Sequence, residues 1–344
     1  MGGSKNVFAA VKSYSKRGKL LKNTDFQTLA ESRDLDELMT RIKNTSYGES
    51  ISDVQKPFTS QGIENALRGH LADIHYSIAK TAGESKVLDA YFSKFLISNL
   101  KQILKGKVLG KSQEEIEIHI NFRAEELTKQ RDVVVKALVA GDLEEAVASL
   151  NQAEFGEEIT KAAALYEDKK NIQIFDTYFD KILFTRLVKA LKSGGIDAGK
   201  IIGMDIDFYN ILSVIRGKFW GLDDAQIQDL IIVQCPVAKD LLTRMMSAST
   251  IKDAFNELSN TKYKNLIPSV ENELDAISEF ERAFELAIYQ ASLNSFTKMF
   301  SFATTIGITK LTAFEVRNLA AIAYAVEQKI PTETTMSKLI LMTE

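Results

Sequence analysis

The chain has 344 residues, of which 45% are hydrophobic and 26% are charged, and its net charge is −3. This composition is typical of a folded globular protein and excludes a disordered chain, and the length exceeds what a single core usually organises. Four prolines and 18 glycines leave few chain-breaking residues, which favours long helices. The single cysteine, Cys235, excludes an internal disulfide and is predicted to be a small buried side chain in a reducing compartment.

Helical periodicity begins near the amino terminus and continues through the first third of the chain. Asp34 with Glu37, and Ser112 with Glu115, have the spacing of a helix start in which two residues cap each other. Residues 51–61 contain a proline and little periodicity, which predicts a loop. Helical periodicity runs over residues 7–39, and the short helix that starts at Asp34 is predicted to end near Tyr47 and Gly48. The other predicted helices are residues 63–80, 87–104 and 112–122.

The same order of elements recurs in the rest of the chain. The predicted helices there are residues 172–191, 206–215, 270–302 and 311–326. Strand signals are weak throughout, and the best apolar run, residues 230–233, lies inside a helical pattern. The sequence therefore predicts an all-α protein.

Three short stretches of the chain are versions of one another. They read TRIKNTSYGESI, ASLNQAEFGEEI and NELSNTKYKNLI, and their aromatic residues Tyr47, Phe155 and Tyr263 are 108 residues apart. We interpret this aromatic as a core residue that closes a short helix against its own unit. The last helix of each unit also aligns, at Asn99, Asn210 and Asn318. A spacing kept at several positions predicts a triplicated unit. The predicted helical units are residues 1–122, 123–233 and 234–344.

The stretch KGKVLGKS, from Lys105 to Ser112, resembles a phosphate-binding loop but fails its requirements. Such a loop needs a glycine, four residues and then Gly-Lys-Ser or Gly-Lys-Thr after a strand, and here Gly106 is one residue too close and no strand precedes it. The second unit has RGKFWGLD at the equivalent place. What recurs is the end of a helix, a turn and a capped helix start, so we predict no nucleotide site.

The remaining polar residues do not form a catalytic or metal-binding pattern. Asp176 and Asp180 share a helical face and Asp223 is followed by another aspartate, but neither pair extends into the facing aspartate-rich motifs of an all-α diphosphate enzyme. A solvated helix face or a helix cap is the better interpretation. His70 and His75 have a spacing that does not place them together on a helix. We predict no catalytic residue, no metal and no cofactor.

The basic turns are the best candidates for binding a partner. Exposed cations beside an aromatic suit a polar docking surface. The candidate interface residues are Lys105, Lys107, Arg216, Lys218 and Trp220. For the tryptophan, packing back onto its own helix pair is an equally good interpretation.

The opening of the chain resembles that of the C subunit of archaeal and bacterial A/V-type ATPases, the relative of the d subunit in eukaryotic V-ATPases. The residues that carry this resemblance are Tyr14, Arg17, Leu20, Leu21, Leu35, Leu38, Thr45, Tyr47 and Gly48. The stretch EVRNLAAIAYAVEQKIP at residues 315–331 resembles the end of the same family, and the triplication covers the whole chain. The sequence departs from the family at Tyr324, where a basic residue equivalent to Lys105 and Arg216 is usual.

The resemblance implies a non-catalytic part of a rotary motor. Members of the family fold as a funnel of three repeated three-helix units. They couple the central stalk to the membrane proteolipid ring during ion translocation, with protons as the expected ion. It also implies a peripheral position at the cytoplasmic face of the membrane, and no stretch approaches the roughly 18 apolar residues of a membrane span. No nucleic acid is expected as a partner. The alternative is a generic helical-repeat scaffold that binds a peptide or protein in an open groove, and an all-α enzyme ranks below both.

Overall fold

The computed structural model describes residues 2–153, 155–192, 199–232 and 239–341. All regular structure in these ranges is helical, so the prediction of an all-α protein is confirmed. None of the helices described there is both long and apolar enough to cross a membrane. Cys235 and part of the apolar run at residues 230–233 lie outside the described residues.

The helices follow one another in the order that the repeats predict. The first repeat contains α1 (Gly2–Arg17), α2 (Asn23–Ala30), α3 (Leu35–Lys43), α4 (Ser60–Ala82), α5 (Lys86–Phe92), α6 (Lys94–Val108) and α7 (Gln113–Glu117). The second contains α8 (Arg123–Thr128), α9 (Arg131–Val139), α10 (Leu143–Leu150), α11 (Gly156–Lys169), α12 (Gln173–Lys192), α13 (Gly199–Phe219) and α14 (Asp224–Leu230). The third contains α15 (Lys239–Ser247), α16 (Ile251–Asn256), α17 (Glu273–Asn294), α18 (Ala303–Glu327) and α19 (Thr332–Lys338). Short 3₁₀ turns flank α16 and α17.

Helix starts repeat at the predicted step. Helices α2, α9 and α15 begin 108 residues apart, and so do α3, α10 and α16. The caps of this second set are Asp34, Asp142 and Thr250, and each side chain accepts a hydrogen bond from the backbone N–H three residues later, at 2.9, 2.9 and 3.0 Å. These bonds satisfy N–H groups that the first helical turn leaves free. Other boundaries differ from prediction. The periodic stretch at residues 7–39 is divided among α1, α2 and α3, the stretch at residues 87–104 is divided at Ser93, and α11 has no predicted counterpart. Each repeat has five to seven α-helices in its described residues, more than the three expected.

The hydrophobic cores join helices from different repeats. Helix α6 packs on α9, α10 and α12 of the second repeat, and α13 packs on α15, α16 and α17 of the third. Helix α18, near the end of the chain, packs on α2, α3 and α4 of the first repeat. The last long helix of each repeat, which is α6, α13 or α18, therefore completes the core of another repeat. The boundaries at residues 122 and 233 stay a prediction from the sequence.

The aligned asparagines fix the chain that follows each last helix. Asn99, Asn210 and Asn318 are 0 to 3% exposed, and the amide of each bonds both to the backbone N–H and to the carbonyl of the residue 22 positions later. The donor to acceptor distances lie between 2.7 and 3.3 Å. An asparagine is suited to this position because it donates and accepts at once.

The glycine in the middle of KGKVLGKS serves close packing. A Cβ atom on Gly106 would lie 2.5 Å from Cγ1 of Ile116, and one on Gly217 would lie 2.6 Å from Cγ1 of Ile227. The third repeat has Ala325 at the same place, where the facing residue is the smaller Thr335. The glycine thus allows α7 and α14 to approach the preceding long helix.

The turn after this glycine is the predicted one. Gly110 and Gly221 have φ values of 64° and 69°, a backbone region that favours glycine. Ser112 and Asp223 then cap the next helix, each in a reciprocal capping box. The interpretation as a helix stop, a turn and a capped start is confirmed.

Candidate functional site: the cavity between the repeats

Residues of all three repeats line one cavity of about 530 Å³, which we call the inter-repeat cavity. The first repeat contributes Tyr91 and Lys94, the second contributes residues of α12 and α13, and the third contributes residues of α17 and α18. We call Tyr91, Lys94, Asp205 and Lys310 the buried end of the cavity. Arg216 and Trp220 mark its exposed end. By the rise of an α-helix, they lie roughly 16 and 22 Å from Asp205 along α13 and the residue that follows it. Three repeats thus enclose a single site.

Ion pairs between the first two repeats form one side of the wall. Lys105 Nζ lies 2.9 Å from both carboxylate oxygens of Asp176. Asp180, one turn further along α12, pairs with Lys101. Burial raises the pKa of Asp180, and Lys101 opposes that rise. These two acids share a face that is partly solvated, with side chains 31% and 38% exposed, and both also bind lysines of another repeat, which was not predicted.

The basic residues at the end of α13, Arg216 and Lys218, make the equivalent contacts to the third repeat. Arg216 pairs with Glu281 at 2.7 Å. Lys218 Nζ donates to the carbonyls of Met246 and Ala248 at 2.7 and 2.6 Å. Lys107, the equivalent of Lys218, donates to two carbonyls at the end of α9 in the same way. In the third repeat the positions of Arg216 and Lys218 are occupied by Tyr324 and Val326. Within the described residues, the ion pair and the bonds to carbonyls therefore occur at two of the three repeats.

Trp220 lies at the exposed end of the cavity. Its side chain is 42% exposed, as is that of the preceding Phe219. Tyr324 and Leu109, at the ends of the other two last helices, are also exposed, at 55% and 61%. Whether a partner covers Trp220 stays a prediction, as it does for the four basic residues.

The buried end of the cavity holds charges that the sequence analysis did not select. Lys310 Nζ lies 2.7 and 2.6 Å from the two carboxylate oxygens of Asp205. Lys94 lies beside this pair, and burial together with the charge of Lys310 lowers the pKa of Lys94 well below its ordinary value. Burial also raises the pKa of the Tyr91 hydroxyl to about 12.

A signal for this cluster exists in the repeat alignment. Lys94 and Asp205 both stand five residues before the aligned asparagine, and Lys310 stands eight residues before it. Opposite charges at one repeat position favour a contact between the helices that carry them.

The repeated aromatic is in the core, as predicted, and its two tyrosines also contact a different repeat. The Tyr47 hydroxyl donates to Glu315 on α18 at 2.6 Å, and the Tyr263 hydroxyl donates to Asp207 on α13 at 2.5 Å. Phe155 lacks a hydroxyl and lies under the Arg186 guanidinium at 4.0 Å from the ring centre. The rings of Tyr47 and Tyr263 pack against their own repeats, on His70 and Phe284, as expected. The hydroxyl groups of these two tyrosines add a bond to another repeat that was not predicted.

Catalytic and metal-binding groups do not converge within the ranges that the structure covers. No group of three histidine, cysteine or acidic side chains there could hold a metal ion. His75 is buried and its Nε2 lies 3.1 Å from the carbonyl of Thr309, while Nδ1 of His70 lies 2.6 Å from the Ser50 hydroxyl. Asp223 is a helix cap, as predicted.

The chain is similar in sequence to known proteins over most of its length. The family model described as "ATP synthase (C/AC39) subunit" matches residues 9–338. The C subunit of the A-type ATP synthase of Methanocaldococcus jannaschii is 26% identical, over 95% of this chain and 84% of the relative. The proteins of the same name from Pyrococcus horikoshii and Thermococcus onnurineus are 23% and 26% identical, each over 92% of this chain and about 85% of the relative.

Proposed function

Because the chain belongs to the ATP synthase (C/AC39) subunit family, we propose that it is a non-catalytic subunit of the central rotor of an A/V-type rotary ATPase. In this role it acts as a socket that couples the central stalk to the membrane proteolipid ring while ions, with protons expected, cross the membrane. The protein would be peripheral, on the cytoplasmic face. Its partners would be the stalk subunits and the ring.

The inter-repeat cavity is the observation that carries this proposal. A socket has to enclose a partner from several sides, and helices of all three repeats line this one cavity. The packing of α18 on α4 and the bond from Tyr47 to Glu315 bring the last repeat onto the first, which supports a closed funnel of three units. The open groove of a generic helical scaffold would leave these two repeats apart.

The predicted interface residues take different parts in this proposal. Lys105, Lys107 and Lys218 are bonded to neighbouring repeats, so we propose that they hold the wall of the socket. Arg216 and Trp220 are more exposed, and Trp220 is the candidate anchor for the stalk because a large, half-exposed aromatic at the rim can bury apolar area on docking.

Copurification from native membranes tests the proposal. A tagged chain solubilised in mild detergent is expected to retain the stalk subunits as well as the proteolipid ring. Trp220→Ala should weaken retention of the stalk, while the matched control Leu165→Ala, an exposed apolar residue on α11, should not. Recovery of the wild-type chain as a free protein only would exclude the socket.

A further inference from the structure

Charges that line the inter-repeat cavity are paired, with one exception. The acids on its wall are Asp176, Asp180, Asp205, Glu281 and Glu285. Their ion-pair partners are, in the same order, Lys105, Lys101, Lys310, Arg216 and Arg317. Among the described residues that line the cavity, Lys94 is the one charged side chain for which no acid partner is found. The wall therefore carries one amine that, when protonated, is a positive charge without an acid partner among these residues.

The surroundings of Lys94 hold this cation without neutralising it. Its Nζ lies 4.4 Å from the ring centre of Tyr91 and 5.2 Å from that of Phe95. Aromatic faces attract a cation but carry no net charge. Among the described residues, the carboxylate that acts on Lys94 is Asp205, and it already has both oxygens within 2.7 Å of Lys310. A half-buried ammonium in this position is costly unless an anion joins it.

We propose that the buried end of the inter-repeat cavity binds a carboxylate, with the Lys94 ammonium as its receiving group. Lys94 is the first residue of α6, so the positive end of the helix dipole adds to the attraction. With Lys94 protonated, Lys94, Lys310 and Asp205 together carry one net positive charge, which matches a singly charged group. A phosphate dianion would exceed this single positive charge and leave a net negative charge in the buried end of the cavity.

A carboxylate can reach this site from two sources. One is an acidic side chain or chain end of the central stalk, and this source rests on the proposed function. The other is a small carboxylate free in solution. Two experiments separate these sources, and the first of them needs no partner.

In the first experiment, the free chain carries ¹³C-methyl labels on its lysines and is titrated with sodium acetate against sodium chloride at constant ionic strength. The signal of Lys94 is assigned by its loss in Lys94→Gln. Its pKa is expected to rise with acetate in a saturable way, because a bound carboxylate favours the charged amine. The exposed Lys189 on α12 is the internal control and should respond to ionic strength alone.

In the second experiment, capture of the stalk subunits is compared among wild type, Lys94→Gln, Lys94→Arg and Lys189→Gln. Lys94→Gln should weaken capture at least about tenfold, since it removes one partner of a desolvated ion pair. Lys94→Arg keeps the charge and should retain capture, as should Lys189→Gln. Equal melting temperatures of the two Lys94 variants would show that folding is not the cause.

Each combination of results decides the inference. A saturable acetate response without an effect of Lys94→Gln on capture would assign the site to a small free carboxylate. Weaker capture alone would assign it to the stalk. Neither effect, in a wild-type chain that captures the stalk, would overturn the carboxylate site and leave the socket standing. If wild type captures no stalk, the proposed function fails and the acetate titration alone decides the site.

Discussion

Glu315 on α18 is a buried carboxyl group whose ionisation is expected to weaken the fold. The residue is 6% exposed, and it accepts hydrogen bonds from the Tyr47 hydroxyl at 2.6 Å and from the backbone N–H of Leu21. Burial raises the pKa of Glu315 from 4.5 to about 7, and the two hydrogen bonds oppose only part of this rise. The carboxyl group thus joins the first and last repeats while it resists ionisation.

The size of the effect follows from the two pKa values. In the unfolded chain the pKa returns to 4.5, so between pH 4.5 and about 7 the native state holds a proton that the unfolded state has lost. The free energy of unfolding therefore falls as pH rises through this window. The gap between the two pKa values corresponds to about 3 kcal/mol, which is present below pH 4.5 and lost above about pH 7.

Glu315→Gln tests this reasoning, because the amide keeps the shape and a carbonyl acceptor but cannot ionise. Unfolding of wild type and variant is measured between about pH 5 and 8. The variant is expected to gain stability relative to wild type as pH rises, by up to about 3 kcal/mol. The matched control Glu117→Gln, at an exposed position of α7, should leave the slope unchanged. Parallel curves for wild type and Glu315→Gln would refute the assignment.

Three further substitutions test the contacts between elements. Gly106→Ala should cost about 1 to 3 kcal/mol by overpacking, and a double-mutant cycle with Ile116→Ala should remove most of this cost because the clashing atom is gone. Asn210→Leu should cost about 2 to 4 kcal/mol in denaturant unfolding, since two buried backbone groups lose their partner; an unchanged midpoint would contradict this. Lys218→Met should speed hydrogen exchange at the end of α15, where two carbonyls lose their donor, and the same change at the exposed Lys189 should not.

The sequence predicted the elements whose causes are local. The cap at Asp34 and the capping box at Ser112 depend on residues three positions apart, and both lie where the spacing put them. The step of 108 residues likewise identified equivalent positions without any structure. Local chemistry and repetition therefore account for the helices and for their order.

The sequence could not show which repeat the face of each helix contacts. Helical periodicity tells that Lys105 and Asp176 lie on helix surfaces, but their pairing depends on how α6 packs on α12. An exposed cation and a cation that ties two repeats have the same sequence pattern. For this reason the basic turns were predicted to meet a partner, whereas Lys107 and Lys218 bond to carbonyls of the same chain. The sequence analysis did not select Lys94, because this lysine is distinguished from others only once the ion pairs of the charges around it are known.

The repeated aromatic explains why three similar units can keep a fixed order. Two tyrosines donate to an acid on another repeat, at Glu315 and Asp207, three residues before the aligned asparagine. In the first repeat that position is Leu96, and the aromatic that shares its core is Phe155. A tyrosine facing the leucine, or a phenylalanine facing an acid, would leave a buried polar group without its partner, at a cost of about 1 to 3 kcal/mol. The matched substitutions therefore favour one arrangement of the repeats over its permutations, and with it one position for Lys94 in the cavity.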